Sequence, residues 1–230
     1  MDITIIILWI LVTFLVGSLA GIIGKRYGAE YPIALVSALV IMANIFANKI
    51  VQFGPFTVPA GVIVFSMTFF ITDLLSEKWG KKEAKKAVWA GFLSSLLLVV
   101  SVYIVTKWQP AVFAADFSKI FSEVLALTPR ITIASFTAYL VSQNHDIWSY
   151  HFWKNKTKGK HLWLRNNAST IVSQLIDTTI FTVIAFYGVM PITPLILGTW
   201  AVKIIIALID TPFMYGAVWV MDRVKVNAKE

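Results

Sequence analysis

The sequence predicts an all-α integral membrane protein built as a helical bundle, and three observations predict it. Hydrophobic residues fill 58% of the 230 positions and charged residues 14%, with a mean hydropathy of +0.76, more apolar surface than one water-solvated core hides. Seven apolar runs match the length needed to cross a hydrocarbon layer about 30 Å thick, roughly 20 residues of helix. Basic residues crowd into alternate connections between those runs, as in loops facing the cytoplasm.

The runs fall at about 3–24, 32–53, 58–76, 87–106, 129–151, 164–187 and 195–220. Asp2 precedes the first, where a secretory leader carries a basic flank and a shorter apolar stretch, so it reads as a retained span. On the second, Ser37, Ile41, Asn44, Asn48 and Gln52 follow steps of three and four and so share one helical face. "ANIFA" at 43–47 places small residues four apart, suited to close helix contact. The third run carries Ser66, Phe70, Asp73 and Glu77 on one side, with Glu77 at its boundary, and residues 77–86 read as a basic interfacial helix ahead of the fourth. "ADFSKIFSEVLALTP" has the apolar spacing of a helix lying on the membrane surface, and Pro129 marks the turn into the fifth run.

The last three runs are the most polar. The fifth presents Thr132, Ser135, Tyr139, Gln143, Asp146 and Tyr150; the sixth Asn167, Thr170, Gln174 and Asp177; the seventh Thr199, Lys203 and Asp210. A charged group in hydrocarbon costs roughly 2.5 to 3.5 kcal/mol on insertion scales, so such a residue faces the bundle interior and has a partner. Ser, Thr, Asn and Gln also glue membrane helices together, and Lys203, Asp210 and Asp177 are spaced for a structural ion-pair network. By depth, Asn48, Gln52, Arg130, Ser135 and Lys203 lie in one half, Asn44, Asp177 and Asp210 near the middle, and Asp73, Gln143 and Asp146 toward the other side. This sketches a polar route for a small solute, along which Phe53, Phe56, Trp108, Phe136, Tyr139, Phe181 and Trp200 offer stacking faces.

Of the 20 Lys and Arg residues, 15 lie in "KRYGAE", "SEKWGKKEAKK", "KNKTKGKHLWLR" and "DRVKVNAKE", while "GPFT" and "GVMPITP" have none. The positive-inside rule then sets the N-terminus outside and the C-terminus in the cytoplasm. This dispersal of the +8 formal charge over loops, rather than one face, argues against nucleic acid as a partner. The absence of cysteine excludes disulfides, thiolate metal sites and cysteine nucleophiles. "GSLAGIIGKR" lacks the glycine spacing and the Ser or Thr of a phosphate loop, and no His-Glu-x-x-His or Gly-x-Ser-x-Gly occurs. No catalytic residue, cofactor or metal site is predicted. His145, His151 and His161 are interfacial, although His145 beside Asp146 suits proton movement. Two rival classes fit the buried acids less well: an intramembrane enzyme and a noncatalytic assembly subunit.

The ordered motifs "NKIVQFG", "ITDLLSEKWG", "PRITIASFTAYLVSQNHDIW", "LRNNASTIVSQLIDTTIFTVIAF" and "KIIIALIDTPFMYG" resemble the queuosine-precursor transporter family. This family is also called the vitamin-uptake-like transporters and is related to the substrate-capture subunits of energy-coupling-factor importers. The resemblance covers about 40–223 and implies six core transmembrane helices, to which the run at 3–24 adds an N-terminal span, in one transmembrane domain over 1–230. It implies import of deazapurine bases for tRNA modification across a prokaryotic cytoplasmic (inner) membrane, without a cofactor. By motif position the substrate-binding candidates are Asn48, Gln52, Asp73, Arg130, Ser135, Gln143, Asp146, Asp177 and Lys203, with Asn44, Tyr139, Asn167, Gln174 and Asp210 supporting them. Asp177 is the expected partner of the base edge, with Asn48 and Gln52 opposite, while Arg130 and Lys203 orient carboxylates. A cationic aminomethyl base would also gain roughly 2.3 kcal/mol per 100 mV on moving to a negative interior. Homo-oligomers, energising subunits, proton coupling and the choice among cyano base, aminomethyl base and queuine stay open at this point.

Overall fold

The computed structural model describes residues 3–125, 129–188 and 191–224. Its helices are α1 (Ile3–Tyr27), α2 (Glu30–Phe46), α3 (Val62–Lys78), α4 (Lys81–Lys107), α5 (Ala115–Leu125), α6 (Pro129–Lys156), α7 (Leu162–Phe186) and α8 (Ile192–Arg223). A two-stranded antiparallel hairpin, β1 (Ile50–Phe53) and β2 (Phe56–Pro59), links α2 to α3. The protein is an all-α membrane protein in class: α1, α4, α7 and α8 are each long and apolar enough to cross a bilayer, and α2 is apolar but shorter.

α3 is the axis of the bundle. "VIVFSMTFFIT" is apolar around nearly its whole circumference, which suits a helix buried on all sides, and α3 touches every other long helix. α1 packs against α3 and α8 through Phe14, whose ring lies 5.3 Å from Phe70 and 5.4 Å from Phe213, and against α2 through Trp9, 6.3 Å from the Phe46 ring. The outward faces of α1 and α4 expose Leu8, Leu15, Leu93 and Leu97, an apolar jacket that lipid solvates without unpaired backbone groups.

The long helices run alternately up and down, so the basic segments gather at one end and the hairpin sits at the other. Contacts at the basic end tie α3 to three partners: Lys78 pairs with Asp222 of α8, and Glu77 with Lys154 of α6 and Arg165 of α7.

Two expectations need correction. The second run does not continue as helix to residue 53: α2 stops at Phe46 and the chain turns into the hairpin. Gly54 at φ 57° opens the Gly-Pro turn between strands rich in β-branched and aromatic residues. Nor is 77–86 a separate interfacial helix. Gly80, at φ 86°, breaks the chain between α3 and α4, and the basic residues from Lys81 onward form the first turns of the long α4. The surface helix expected before the fifth run is present as α5, with no buried residue.

Candidate functional site

In the hairpin half of the bundle, α2, α3, α6, α7, α8 and β2 surround a cavity whose space, open mouth included, is about 620 Å³. Asp177 of α7 and Lys203 of α8 supply its two charges. The Lys203 ammonium donates to Asp177 Oδ2 at 2.6 Å, and the Ser142 hydroxyl donates to Oδ1 at 3.1 Å. Lys203 Nζ also lies 5.0 Å from the centroid of the Phe65 ring, a cation–π position. Both charged side chains are buried, so they are mutually dependent: removing one leaves the other uncompensated in low dielectric.

A second polar group at the cavity is built from three helices. Ser135 of α6 donates to Asn44 Oδ1 at 2.7 Å, and Asn44 Nδ2 donates to Ser95 of α4 at 2.9 Å. Thr178, Thr182 and Thr199 add hydroxyls, while Phe65, Phe181, Phe186 and Leu195 give apolar walls. The Thr178 hydroxyl has no hydrogen-bond partner among the described residues. On α7, Asp177 and Phe181 are four apart, as are Thr178 and Thr182, so two adjacent rows of one helix face the space. Gly61 lets α2 and α3 meet at this level: a Cβ there would lie 2.5 Å from the Ala43 carbonyl oxygen.

Toward the basic end the interior is filled by stacked polar contacts. Gln143 is fully buried between two threonines of α3, donating to Thr68 at 2.8 Å and accepting from Thr72 at 3.2 Å. Next, Thr170 donates to Asp73 at 3.3 Å and Asn166 to Asp210 at 2.7 Å. Asp146 lies beside Asp73, Ser169 and Ser173, yet neither of its oxygens forms a well-shaped hydrogen bond among the described residues. At the end, Arg165 binds Glu77 through Nη2 at 2.8 Å and Nε at 3.2 Å, and reaches the carbonyls of Gly159 and Lys160, each at 3.0 Å. Tyr150 donates to the same carboxylate at 2.9 Å.

Of the candidates read from the sequence, the cavity brings together Ser135, Asp177 and Lys203, with Asn44 among the supporting ones. Asp73, Gln143, Asp146 and Asp210 lie in the filled half, and Asp210 sits a layer nearer the basic end than its expected mid-depth. Asn48 and Gln52 do not continue the α2 stripe, because the helix has ended. The Asn48 amide binds the Asn44 and Ile45 carbonyls at the helix end, and exposed Gln52 donates to Thr57 across the hairpin at 3.1 Å. Arg130 orients no carboxylate among the described residues. It binds the carbonyls of Ile184 and Tyr187 at 2.6 and 2.7 Å, where the end of α7 leaves acceptors without helical partners. Asn167 bonds Thr211 at 2.8 Å, and Gln174 is buried without a partner among the described residues. Tyr139 points its hydroxyl at Gly91 of α4, away from the cavity.

Among the aromatic candidates only Phe181 lines the space. The side chain of Thr132 lies outside the described residues. Reading by stripes missed Phe65, Phe186, Thr178 and Thr182. The last two were visible as an i, i+4 pair in the row next to Asp177 and Phe181, whereas Phe65 and Phe186 carry no mark in sequence that separates them from lipid-facing phenylalanines.

Residues 59–217 match the family described as "Putative vitamin uptake transporter". The chain is 34% identical over 198 residues to a protein of Bacillus subtilis (strain 168) named "Probable queuosine precursor transporter", covering 84% of this chain and 86% of that one. It is 28% identical over 167 residues to the "Queuosine precursor transporter" of Escherichia coli (strain K12), covering 71% of each. No solved structure matches the chain. The family match takes in α3 to α7 and α8 as far as residue 217, and so every charged residue of the cavity, and the chain belongs to this vitamin uptake family of membrane transporters, in which its relatives are named queuosine precursor transporters.

Proposed function

We propose that this protein imports queuosine precursors, deazapurine bases, holding the solute in the cavity between α2, α3, α6, α7 and α8. The observation that carries this reading is that the buried Asp177–Lys203 pair and the Asn44–Ser135 contact line one space with aromatic walls. Flat heterocycles have apolar faces and hydrogen-bonding edges, and this lining matches both. The names of the relatives supply the solute class.

The seven long helices are seven spans: α2, α3 and α6 complete the set because their polar side chains turn inward onto neighbours. The positive-inside rule sets the basic end in the cytoplasm, with the N-terminus outside. On that orientation the cavity lies in the outer half, and the stack from Gln143 to the Glu77–Arg165 pair closes the inner half. Alternating access then requires α3, α6 and α7 to part at those contacts while the outer half closes over the solute.

The test is accumulation of labelled cyano- and aminomethyl-deazaguanine by cells lacking their own uptake route, with and without this chain, at several external pH values. Chain-dependent accumulation is expected, and none above the empty-vector level sinks the proposal. Asp177→Asn keeps the shape of the side chain and removes its charge, leaving Lys203 buried and unpaired; uptake should fall at least about tenfold, the consequence of losing a polar contact worth 1.4 kcal/mol or more. Undiminished uptake by that variant would remove Asp177 from the binding role.

A further inference from the structure

The ion pair in the cavity has hydrogen-bonding capacity to spare. A carboxylate has about four acceptor positions and an ammonium three donors. Asp177 accepts one bond from Lys203 and one from Ser142, and Lys203 spends one donor on Asp177. No other hydrogen bond of either group occurs among the described residues, and both side chains line the cavity. The pair therefore presents about two free acceptor positions beside about two free donors.

Base edges differ in how they fill such a set. A guanine-type edge carries a carbonyl oxygen next to a ring N–H and an exocyclic amine, one acceptor followed by two donors in a plane. The carboxylate can take both N–H groups while the ammonium donates to the carbonyl. An adenine-type edge offers one acceptor and one amine, which leaves a carboxylate position unfilled in a buried site, and sites built to hydrogen-bond a group reject analogues that lack it strongly. The remainder of the lining contains no charged side chain. Phe65 and Phe181 suit the ring faces, and Phe186 and Leu195, toward the hairpin end, are apolar.

We propose that Asp177 and Lys203 act as one reader of the amino-lactam edge of a guanine-type base, and that the substituent on the five-membered ring is left unread toward the mouth. This rests on the import reading above. It makes Lys203 a direct contact of the base rather than a support for Asp177. It also gives one site that accepts nitrile and aminomethyl substituents alike, because no carboxylate is free to demand a cation.

The experiment is competition against uptake of labelled cyano-deazaguanine, using unsubstituted deazaguanine, aminomethyl-deazaguanine and deazaadenine as competitors. The first two should compete within about threefold of one another, while deazaadenine should need about a hundredfold more. Deazaadenine competing as well as deazaguanine, or unsubstituted deazaguanine failing to compete, overturns the inference. Lys203→Met should narrow the guanine-over-adenine preference at least about tenfold, the loss of one well-placed hydrogen bond; a lysine that only supported packing would depress uptake of all bases in proportion. Should that variant not reach the membrane, the competitor panel on the unaltered chain decides alone. Absence of any deazapurine uptake would fell the import reading and this inference together, whereas uptake without edge preference fells only the inference.

Discussion

Asp177 stands in the middle of a helix that is otherwise apolar enough to cross a bilayer, and its insertion cost of roughly 2.5–3.5 kcal/mol is offset by Lys203 and Ser142. Both partners lie on other helices, so the carboxylate helps fix where α6 and α8 sit against α7. Gly61 acts at the same level by its lack of a side chain. Because the obstruction to a Cβ is the Ala43 backbone rather than a flexible side-chain end, Gly61→Ala must push α2 from α3. It should lower stability by about 1–3 kcal/mol, as overpacking does, and thermal unfolding of the detergent-purified protein measures it. If Gly61→Ala unfolds with the unaltered chain, the close approach is not tight. Stripes of polar residues at steps of three and four made Asp177, Lys203, Ser135 and Asn44 legible in sequence, since that spacing is a property of any helix. Phe65 and Phe186 were not legible, because a phenylalanine against a solute and one against lipid have the same neighbours in sequence.

At the scale of elements, legibility failed where the helix period was extended past its stop. "IVQFGPFTVP" is apolar enough to belong to a span, but its Gly-Pro turn and β-branched flanks make a hairpin, and this removes Gln52 from the α2 face. α3 and α6 fall outside the helices that qualify as spans by length and composition, α3 by its 17 residues and α6 by its polarity. Burial among neighbours is what makes those polar faces tolerable. α5 shows the opposite arrangement: Phe117, Ile120, Phe121 and Val124 share one side and all are exposed. That side is the one expected to meet acyl chains at the membrane surface. The chain has no cysteine, so single replacements can carry a probe. An environment-sensitive dye on Ile120→Cys should report an apolar setting in vesicles and on Lys119→Cys a watery one; equal polarity at both sites argues that α5 stands clear of the membrane.

In the molecule as a whole the described cavity lies in the hairpin half, while stacked buried polar contacts run through the basic half. On the proposed orientation the hairpin half faces outward, and the same absence of cysteine permits a direct check. In intact cells a membrane-impermeant maleimide should label Val112→Cys, whereas Lys158→Cys should react only after permeabilisation; the reverse pattern inverts the topology. α8 runs through both halves, and two of its features lie close together. At Gly198 it rests against Phe56 of the hairpin, and Lys203, five residues on, reaches into the cavity. Five residues of helix span about 7.5 Å, too short a rod to bend appreciably. Any displacement of this stretch of α8 therefore carries the Lys203 backbone and the hairpin contact at Gly198 together, as one short lever.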